Sequence, residues 1–572
     1  MTRLRTLLVT SAVSSALVAV PLMHLAHAQW IVDGTVVCEA AGNQGSQVIA
    51  TDGSGGAIVC WVDWRSGAGD IYVQRVSAAG IALWNTSGVA ICSAPNEQHS
   101  PAIASDGLGG AIVVWADERT GALSDDIYAQ RISASGQVEW EPNGVAICVA
   151  TNAQYYPAIT TDGGGGAITV WVDERAGSTS DDIYAQRVGF AGSVLWASNG
   201  IPLCTATHNQ GELRCVGDGS GGAIATWSDL RNGNNLDIYA QRVSDAGLPL
   251  WTLNGVAACS VNRDQRRPTM ASDGSGGAII AWVDWRYEFE SDVYAQRING
   301  LGLSQWAAGG VAVCSTYADQ GNAEIVSDDC GGAIVAWHDS GGNNLDILAQ
   351  RVSSTGTLLW PINGVSVCDA SDIQYLPAIV SDGACGAIIT WEDLSQGFNA
   401  TDVFAGRVDS SGMVVWGSNG VSIGTAVNNQ SRPVIATDVS GGAVIAWNDE
   451  RNGTSNSDIY ARRISSIGTI PTAVRPSSGG LRLVVFPNVP NPFSLSTGID
   501  VLLDGNSEVD VKVYDVAGRP VRALTKGPWS AGIHRVYFEG RDDSGRSLPS
   551  GVYFVRVVAN GSQVTRKIVL ER

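Results

Sequence analysis

The chain has 572 residues, with 55 acidic against 35 basic side chains and a formal net charge of −20. That balance excludes a nucleic-acid binder, whose phosphate contacts need basic patches, and favours a soluble surface. After the first 28 residues no apolar run is long enough to cross a bilayer, so no transmembrane segment is expected.

At the N-terminus Arg3 and Arg5 precede an apolar run from Leu7 to Leu22, and Ala26-His27-Ala28 supplies small residues before Gln29. Residues 1–28 therefore read as a signal peptide and the remainder as a secreted protein. From Gln29 to Ile470 a unit of 54 to 56 residues recurs eight times. Its form is D-G-x-G-G-A-I-x-x-W-x-D-x-R, D-I-Y-A-Q-R, S-x-x-G-x-x-x-W, G-V-x-x-C and Q-x-x-P-A-I. The first Asp falls at Asp52, Asp106, Asp162, Asp218, Asp273, Asp328, Asp382 and Asp438. Several short strands per unit at this period indicate an all-β propeller or solenoid.

The tryptophans favour a closed ring. One series ends the G-G-A-I run in every unit, from Trp61 to Trp447; a second follows the S-x-x-G turn, from Trp84 to Trp416, and lacks an eighth member. An orphan Trp30, Gly34 and Cys38 stands near the N-terminus at the spacing of Trp84, Gly88 and Cys92. Residues 29–470 are expected to form an eight-bladed propeller closed by this segment, which leaves only short, protected sheet edges.

Each unit parses into four strands, with P-A-I innermost. The N-G or S-G of the last segment reads as a bulge or a small extra turn. The D-G-x-G-G and S-x-x-G turns share one face of the ring. The crossover from Cys to Q-x-x-P and the loop from D-x-R to D-I-Y share the other. The Asp of D-x-R, the Asp of D-I-Y, the Arg of Q-R and the Gln before P-A-I recur in all eight units. A fastener occurs once per blade and an active site once per ring, so these read as charge-assisted or backbone-satisfying hydrogen bonds. No catalytic residue is assigned.

Seven cysteines from Cys38 to Cys368 hold one repeat position and read as small buried thiols. Cys330 and Cys385, one unit apart at an inner turn, form the one pair worth testing for a bridge. Separated histidines and the lack of a calcium loop give no expected metal site, and no cofactor is expected.

Departures from the repeat cluster on the crossover face. Trp64 and Trp285 sit inside D-x-R, and Tyr287, Glu288, Phe289 and Glu290 fill one loop. The two positions after the repeated Gln vary freely and supply His99, Tyr155, Tyr156, Glu212, Arg266, Arg267 and Tyr375. Aromatics beside Arg and Glu suit stacking on sugar rings or packing on a protein, so a glycan or protein ligand is expected there.

The unit resembles the repeats of sialidase-type propellers, in which a P-x-I strand, W-x-D-x-R and an Asp-box turn occur in order. Here that turn reads Ser133-Ala134-Ser135-Gly136-Gln137-Val138-Glu139-Trp140, without the central Asp. The resemblance implies a glycoside-acting enzyme as the alternative to a binding module, although the family's R-I-P arginine is absent. The G-x-x-x-W element is also similar to that of quinoprotein dehydrogenase propellers, whose adjacent cysteine pair is missing.

Pro471 to Gly480 reads as a linker. Residues 481–572 then carry Pro487-Asn488-Val489-Pro490-Asn491-Pro492-Phe493, Val513-Tyr514-Asp515-Val516-Ala517-Gly518-Arg519, Asp542-Asp543-Ser544-Gly545-Arg546 and Ser550-Gly551-Val552-Tyr553-Phe554. About seven alternating strands in this length suffice for a small sandwich. In this order the motifs resemble the flagellar-hook-capping-type immunoglobulin-like domain at the C-termini of type IX secretion cargo. The resemblance implies a sorting tag read by secretion machinery, with passage through the periplasm to the outer-membrane surface or the medium.

Overall fold

The computed structural model describes residues 30–469, apart from 32, 122–123, 178–179, 288, 342–343, 395–399 and 455, and residues 483–571, apart from 486–491, 504–506, 517, 530–531 and 560–561. The expected signal peptide and linker, Glu288 and the 487–491 part of the C-terminal motif lie outside the described residues. The chain divides into two compact units, Met1–Ala473 and Val474–Arg572.

The first unit of the chain holds eight four-stranded antiparallel sheets. The inner strands are Gln44–Thr51, Gln98–Ser105, Gln154–Thr161, Gln210–Gly217, Gln265–Ser272, Gln320–Ser327, Gln374–Ser381 and Gln430–Thr437, and they number the repeats one to eight. Inner strands of consecutive repeats touch, and that of the first touches that of the eighth. The eighth sheet takes its outer strand, Thr35–Cys38, from the start of the chain, paired antiparallel with Asp458–Ile464.

The second strand, such as Ala111–Asp117, is buried along its whole length in seven repeats, and in the sixth only His338 is half-buried. It is covered on both faces, which suits its run of small, β-branched and aromatic residues. Its Trp (Trp61, Trp115 and their six equivalents) is fully buried, and each apolar cluster draws on two neighbouring repeats. The L-W segment is separate from the outer strand. Val138 makes one bridge to Ile132, and a turn with Asn143 at φ 64° precedes Val145–Cys148, so the internal N-G is an extra turn.

The repeated charges are fasteners. In six repeats the Asp and Arg of D-x-R form a two-point pair with one contact of 2.5–2.6 Å, and Trp61 Nε1 donates to Asp63 at 2.8 Å. The Arg of Q-R pairs in every repeat with the first Asp of the glycine turn, at 2.7–3.0 Å. The repeated Gln side chain donates to crossover carbonyls, as Gln98 Nε2 does to Asn96 O at 3.0 Å.

Neighbouring repeats share a second link. Each Trp of the second series donates to a turn carbonyl of the next repeat, as Trp84 Nε1 does to Ala134 O at 3.2 Å. Trp30 does the same from the eighth repeat to Ala78 O of the first at 3.0 Å, joined there by Arg463 Nη1 at 3.1 Å. The orphan tryptophan thus stands in the missing place.

The Asp of D-I-Y is held without an arginine. Among the described residues it pairs with no Arg, and in six repeats it accepts from neutral donors, as from Ser66 Oγ for Asp70 at 2.8 Å, Thr120 Oγ1 for Asp126 at 3.0 Å and Asn235 Nδ2 for Asp237 at 3.0 Å. The Arg side chains are already committed to the other two carboxylates. The seven repeat cysteines are buried and unbridged; burial pushes Cys92 up to about 12, so it stays a thiol. Cys330 and Cys385 are bridged, with Cα atoms 5.7 Å apart, and tie the glycine turns of repeats six and seven.

Among its described residues the C-terminal unit has seven strands in two sheets, one of three (Leu483–Val485, Thr497–Leu503, Gly532–Phe538) and one of four (Ser507–Tyr514, Pro520–Trp529, Gly551–Ala559, Ser562–Leu570). Alternating inward residues such as Val509, Val511 and Val513 share a core with Phe493 and Phe538.

Two outcomes follow from this construction. Trp30 lies outside the repeats yet is 1% exposed, so Trp30→Ala is expected to remove about 3–5 kcal/mol of local packing and lower the melting temperature; an unchanged melting curve would show that the N-terminal strand is dispensable. Burial, and then neighbouring carboxylates, raise Asp182, Asp237, Asp292, Asp402 and Asp458 from 3.8 to about 6. A carboxyl raised on folding binds its proton more tightly in the folded state, so its contribution is full below the unfolded value and lost as pH rises through the folded one. The melting temperature should therefore rise on acidification from about pH 7 to about pH 5.5. A fall across that window, followed by calorimetry, would contradict the assignment.

Candidate functional site

One local distortion builds the crossover face. In every repeat the inner strand slips register just after the Gln, and the second residue beyond it has positive φ: Ser46, Ser100, Tyr156, Glu212, Arg267, Asn322, Leu376 and Arg432, all between 45° and 52–53°. None of the eight is glycine. A left-handed L-residue costs about 1–2 kcal/mol, and bulges of this kind re-aim side chains beside binding sites. The two variable positions therefore leave the strand in different directions.

Where the eighth repeat meets the first, these positions open a cleft of about 420 Å³, lined by Trp64, Gly45, Ser46, Arg432, Asn448 and Glu450 among others. Gly45 lies against the cleft's floor: a Cβ there would meet the Asn448 amide at 3.5 Å and the Trp64 ring at 3.6 Å, both ordinary contact distances. Asn448 Nδ2 donates to Gln44 O at 2.6 Å and closes the floor between repeats. Trp64 is half-buried, its Nε1 3.3 Å from Glu97 Oε2. On the other side Arg432 N donates to Glu392 Oε1 at 2.7 Å. Tyr375 also hydrogen-bonds Glu392; burial raises both groups, so the carboxyl is protonated more readily and the phenolate is disfavoured.

Repeats four to six carry a polar chain. Glu212 Oε2 accepts from Ser228 Oγ and from Arg267 N, each at 2.7 Å, and Arg267 Nη1 donates to Asn322 Oδ1 at 2.9 Å. Arg266 pairs with Asp264 at 2.7 Å. Asp264 borders a smaller cleft of about 290 Å³ with Trp285, Asn234 and Arg263. Tyr287 and Phe289 stand exposed beyond it.

Repeats two and three repeat one another. His99 Nε2 lies 3.5 Å from Asp125 Oδ2 and 3.9 Å from Glu118 Oε1. At the same places the third repeat has Tyr155, whose Oη is 3.4 Å from Glu174 Oε1, and Asp181. Tyr155 and Tyr156 meet edge to face at 5.0 Å, with Tyr156 outermost. The hydrogen bond to Asp125 holds His99 above its ordinary 6.5.

The ten expected residues therefore do not form one site. Glu212 and Arg267 are joined, and Trp64 and Tyr375 flank Arg432. Trp285 lies four repeats from Trp64. Sequence reasoning missed Asn448, Glu392, Ser228 and His338. All four occupy the residue between Trp and Asp in W-x-D, which is Val or Ala in the other repeats. From there Ser228 reaches Glu212, His338 reaches Asn322, Glu392 reaches Arg432 and Asn448 reaches Gln44. Polar residues at a position otherwise small and apolar were the available signal.

Comparison with known proteins bears chiefly on the C-terminal unit. Residues 495–563 match the FlgD Ig-like domain. No curated protein matches the chain. Among solved structures it is similar to a protein of unknown function from Dyadobacter fermentans, at 8% identity over 65% of this chain and 96% of that one, with a TM-score of 0.36. An α-L-arabinanase from Penicillium chrysogenum complexed with arabinobiose shares 13% identity over 55% and 93% of the two chains, with a TM-score of 0.29. An endo-arabinase from Bacteroides thetaiotaomicron shares 11% over 42% and 88%, with a TM-score of 0.26. Similarity at this level leaves the chemistry of the crossover face to its own side chains.

Proposed function

We propose that the repeats form an eight-bladed propeller, closed by the N-terminal strand, that serves as an extracellular recognition module for a carbohydrate. The observation that carries this reading is the cleft between the eighth and first repeats. An indole beside guanidinium, carboxamide and carboxylate groups offers a stacking surface and directional hydrogen bonds together, the combination a pyranose or furanose ring requires. The bonds Trp30 and Arg463 make to Ala78 O support closure, and closure is what brings the two halves of the cleft together. The C-terminal unit is proposed to direct export to the cell surface. That role fails if a chain lacking residues 481–572 still reaches the surface at normal levels.

A sialidase-like, glycoside-acting enzyme is the second reading. It is favoured by Glu392, a buried carboxyl bonded to the backbone of Arg432, which burial keeps protonated to higher pH, as a general acid requires. The raised Tyr375 phenol opposes it, because a tyrosine nucleophile needs its phenolate.

Glycan-array screening of the purified protein, followed by titration of the best ligand, separates these readings. Trp64→Ala combined with Arg432→Ala is expected to weaken binding about ten- to a hundredfold, the sum of a stacking contact and a charge-assisted hydrogen bond. Trp285→Ala with Tyr287→Ala should leave affinity unchanged. The reverse pattern would move the site to the fifth repeat and overturn its placement. Turnover of aryl glycosides, abolished by Glu392→Gln, would establish the enzyme instead.

A further inference from the structure

We propose that His99, Glu118 and Asp125 bind one divalent transition-metal ion of the zinc class on the crossover face of the second repeat. The three come from separate segments: the variable position after the inner-strand Gln, the middle of D-x-R, and the residue before D-I-Y. One ligand atom from each lies within 4.8 Å of the other two. A tetrahedral ion with bonds of about 2.0–2.1 Å sets its ligands about 3.3 Å apart. The observed 3.5 and 3.9 Å from Nε2 to the carboxylates exceed that by about 0.2 and about 0.6 Å, within reach of small side-chain rotations.

The set is also held for the task. Glu118 N donates to Glu97 O at 2.9 Å, and Asp125 O accepts from Gln154 N of the next repeat at 2.7 Å, so both carboxylates hang from fixed backbone. His99 Nδ1 lies 3.1 Å from Ser100 Oγ. With the imidazole proton on Nδ1 and donated to that hydroxyl, Nε2 presents its lone pair to the carboxylates, the outer-shell arrangement typical of ligating histidines. The side chains are 33%, 22% and 19% exposed, so they border solvent without lying open to it. One neutral nitrogen and two carboxylate oxygens suit a borderline divalent ion and leave a fourth position for water or a ligand oxygen. Glu97, the other charge nearby, is occupied by Gly69 N and Trp64 Nε1.

The third repeat provides an internal control. It carries the same two carboxylates, Glu174 and Asp181, but Tyr155 replaces the histidine and hydrogen-bonds to them. Each exchange below therefore installs a residue that the adjacent repeat already accommodates at that position.

Chelator-treated, tag-free full-length protein is titrated with Co²⁺, followed by its visible absorption, and with Zn²⁺ by calorimetry. The wild type should take up one equivalent, His99→Tyr none, and Tyr155→His two. Melting curves confirm that each variant is folded, and the gain in Tyr155→His keeps the test open should His99→Tyr fold poorly. Wild-type protein that binds no ion would leave His99 paired with the two carboxylates alone and overturn the proposal. Uptake that persists in folded His99→Tyr would place the ion elsewhere and overturn it equally.

Discussion

Adjacent repeats share a fastener at one backbone carbonyl of the S-x-x-G turn, which in all but one case accepts from two donors of the preceding repeat. At Ser354 O these are Trp306 Nε1 and Arg297 Nη1, both at 3.1 Å. The same guanidinium is anchored to Asp273 at 2.9 Å, so the link runs from a carboxylate in one repeat to the backbone of the next. Little of this pairing is open to water. Removal of one partner would leave an uncompensated buried charge, typically about 3–5 kcal/mol. Where the second repeat lacks the Arg-to-carbonyl bond, Arg131 instead lies 3.9 Å over the Phe190 ring, whose carbonyl still takes Trp140. The link is thus kept when its chemistry changes.

Because these groups are committed to the scaffold, the residues able to recognise a ligand are those the scaffold leaves free. They lie at the bulge of the inner strand and in the D-x-R loop. Eight non-glycine residues in left-handed backbone concentrate strain at one position of the repeat. The distortion turns one variable side chain toward the D-x-R loop and leaves the next free to reach the neighbouring repeat. His99 and Tyr155 show the first direction, Arg267 and Asn322 the second. Differences among repeats therefore decide what each section of the face can do. Trp64 and Arg432 line a cleft where the first repeat meets the eighth, and a histidine stands beside two carboxylates at the second.

Much of the architecture was legible in the sequence because it depends on residues that recur. The glycine turns, the buried Trp strand, the partition of loops between two faces and the equivalence of Trp30 to the second Trp series could all be read from spacing. Seven alternating strands in the C-terminal unit were equally visible. Partner choice was harder to read. Three Asp positions and two Arg positions recur together, and only the fold shows that both Arg sets are used by the D-x-R and glycine-turn carboxylates, leaving the D-I-Y Asp to neutral donors. Arg462 replaces a Gln found in six repeats and reaches Ser422 O and Ile423 O of the seventh, where Gly406 replaces the same Gln. Such compensation between neighbours has no signature in either repeat alone. The grouping of site residues was hidden for the same reason: Trp64 and Arg432 are far apart in the chain and adjacent only through the contact of the first and eighth repeats.

That contact carries both the proposed closure of the repeats and the proposed site of recognition. Hydrogen–deuterium exchange of the intact protein, with and without a saturating glycan ligand, addresses both at once. The account predicts slow exchange in Thr35–Cys38 without ligand, as in the outer strands of the other repeats, and ligand-induced protection confined to the segments carrying Gln44 to Ser46, Trp64, Arg432 and Glu450. Fast exchange in Thr35–Cys38, or protection on the glycine-turn face, would contradict it.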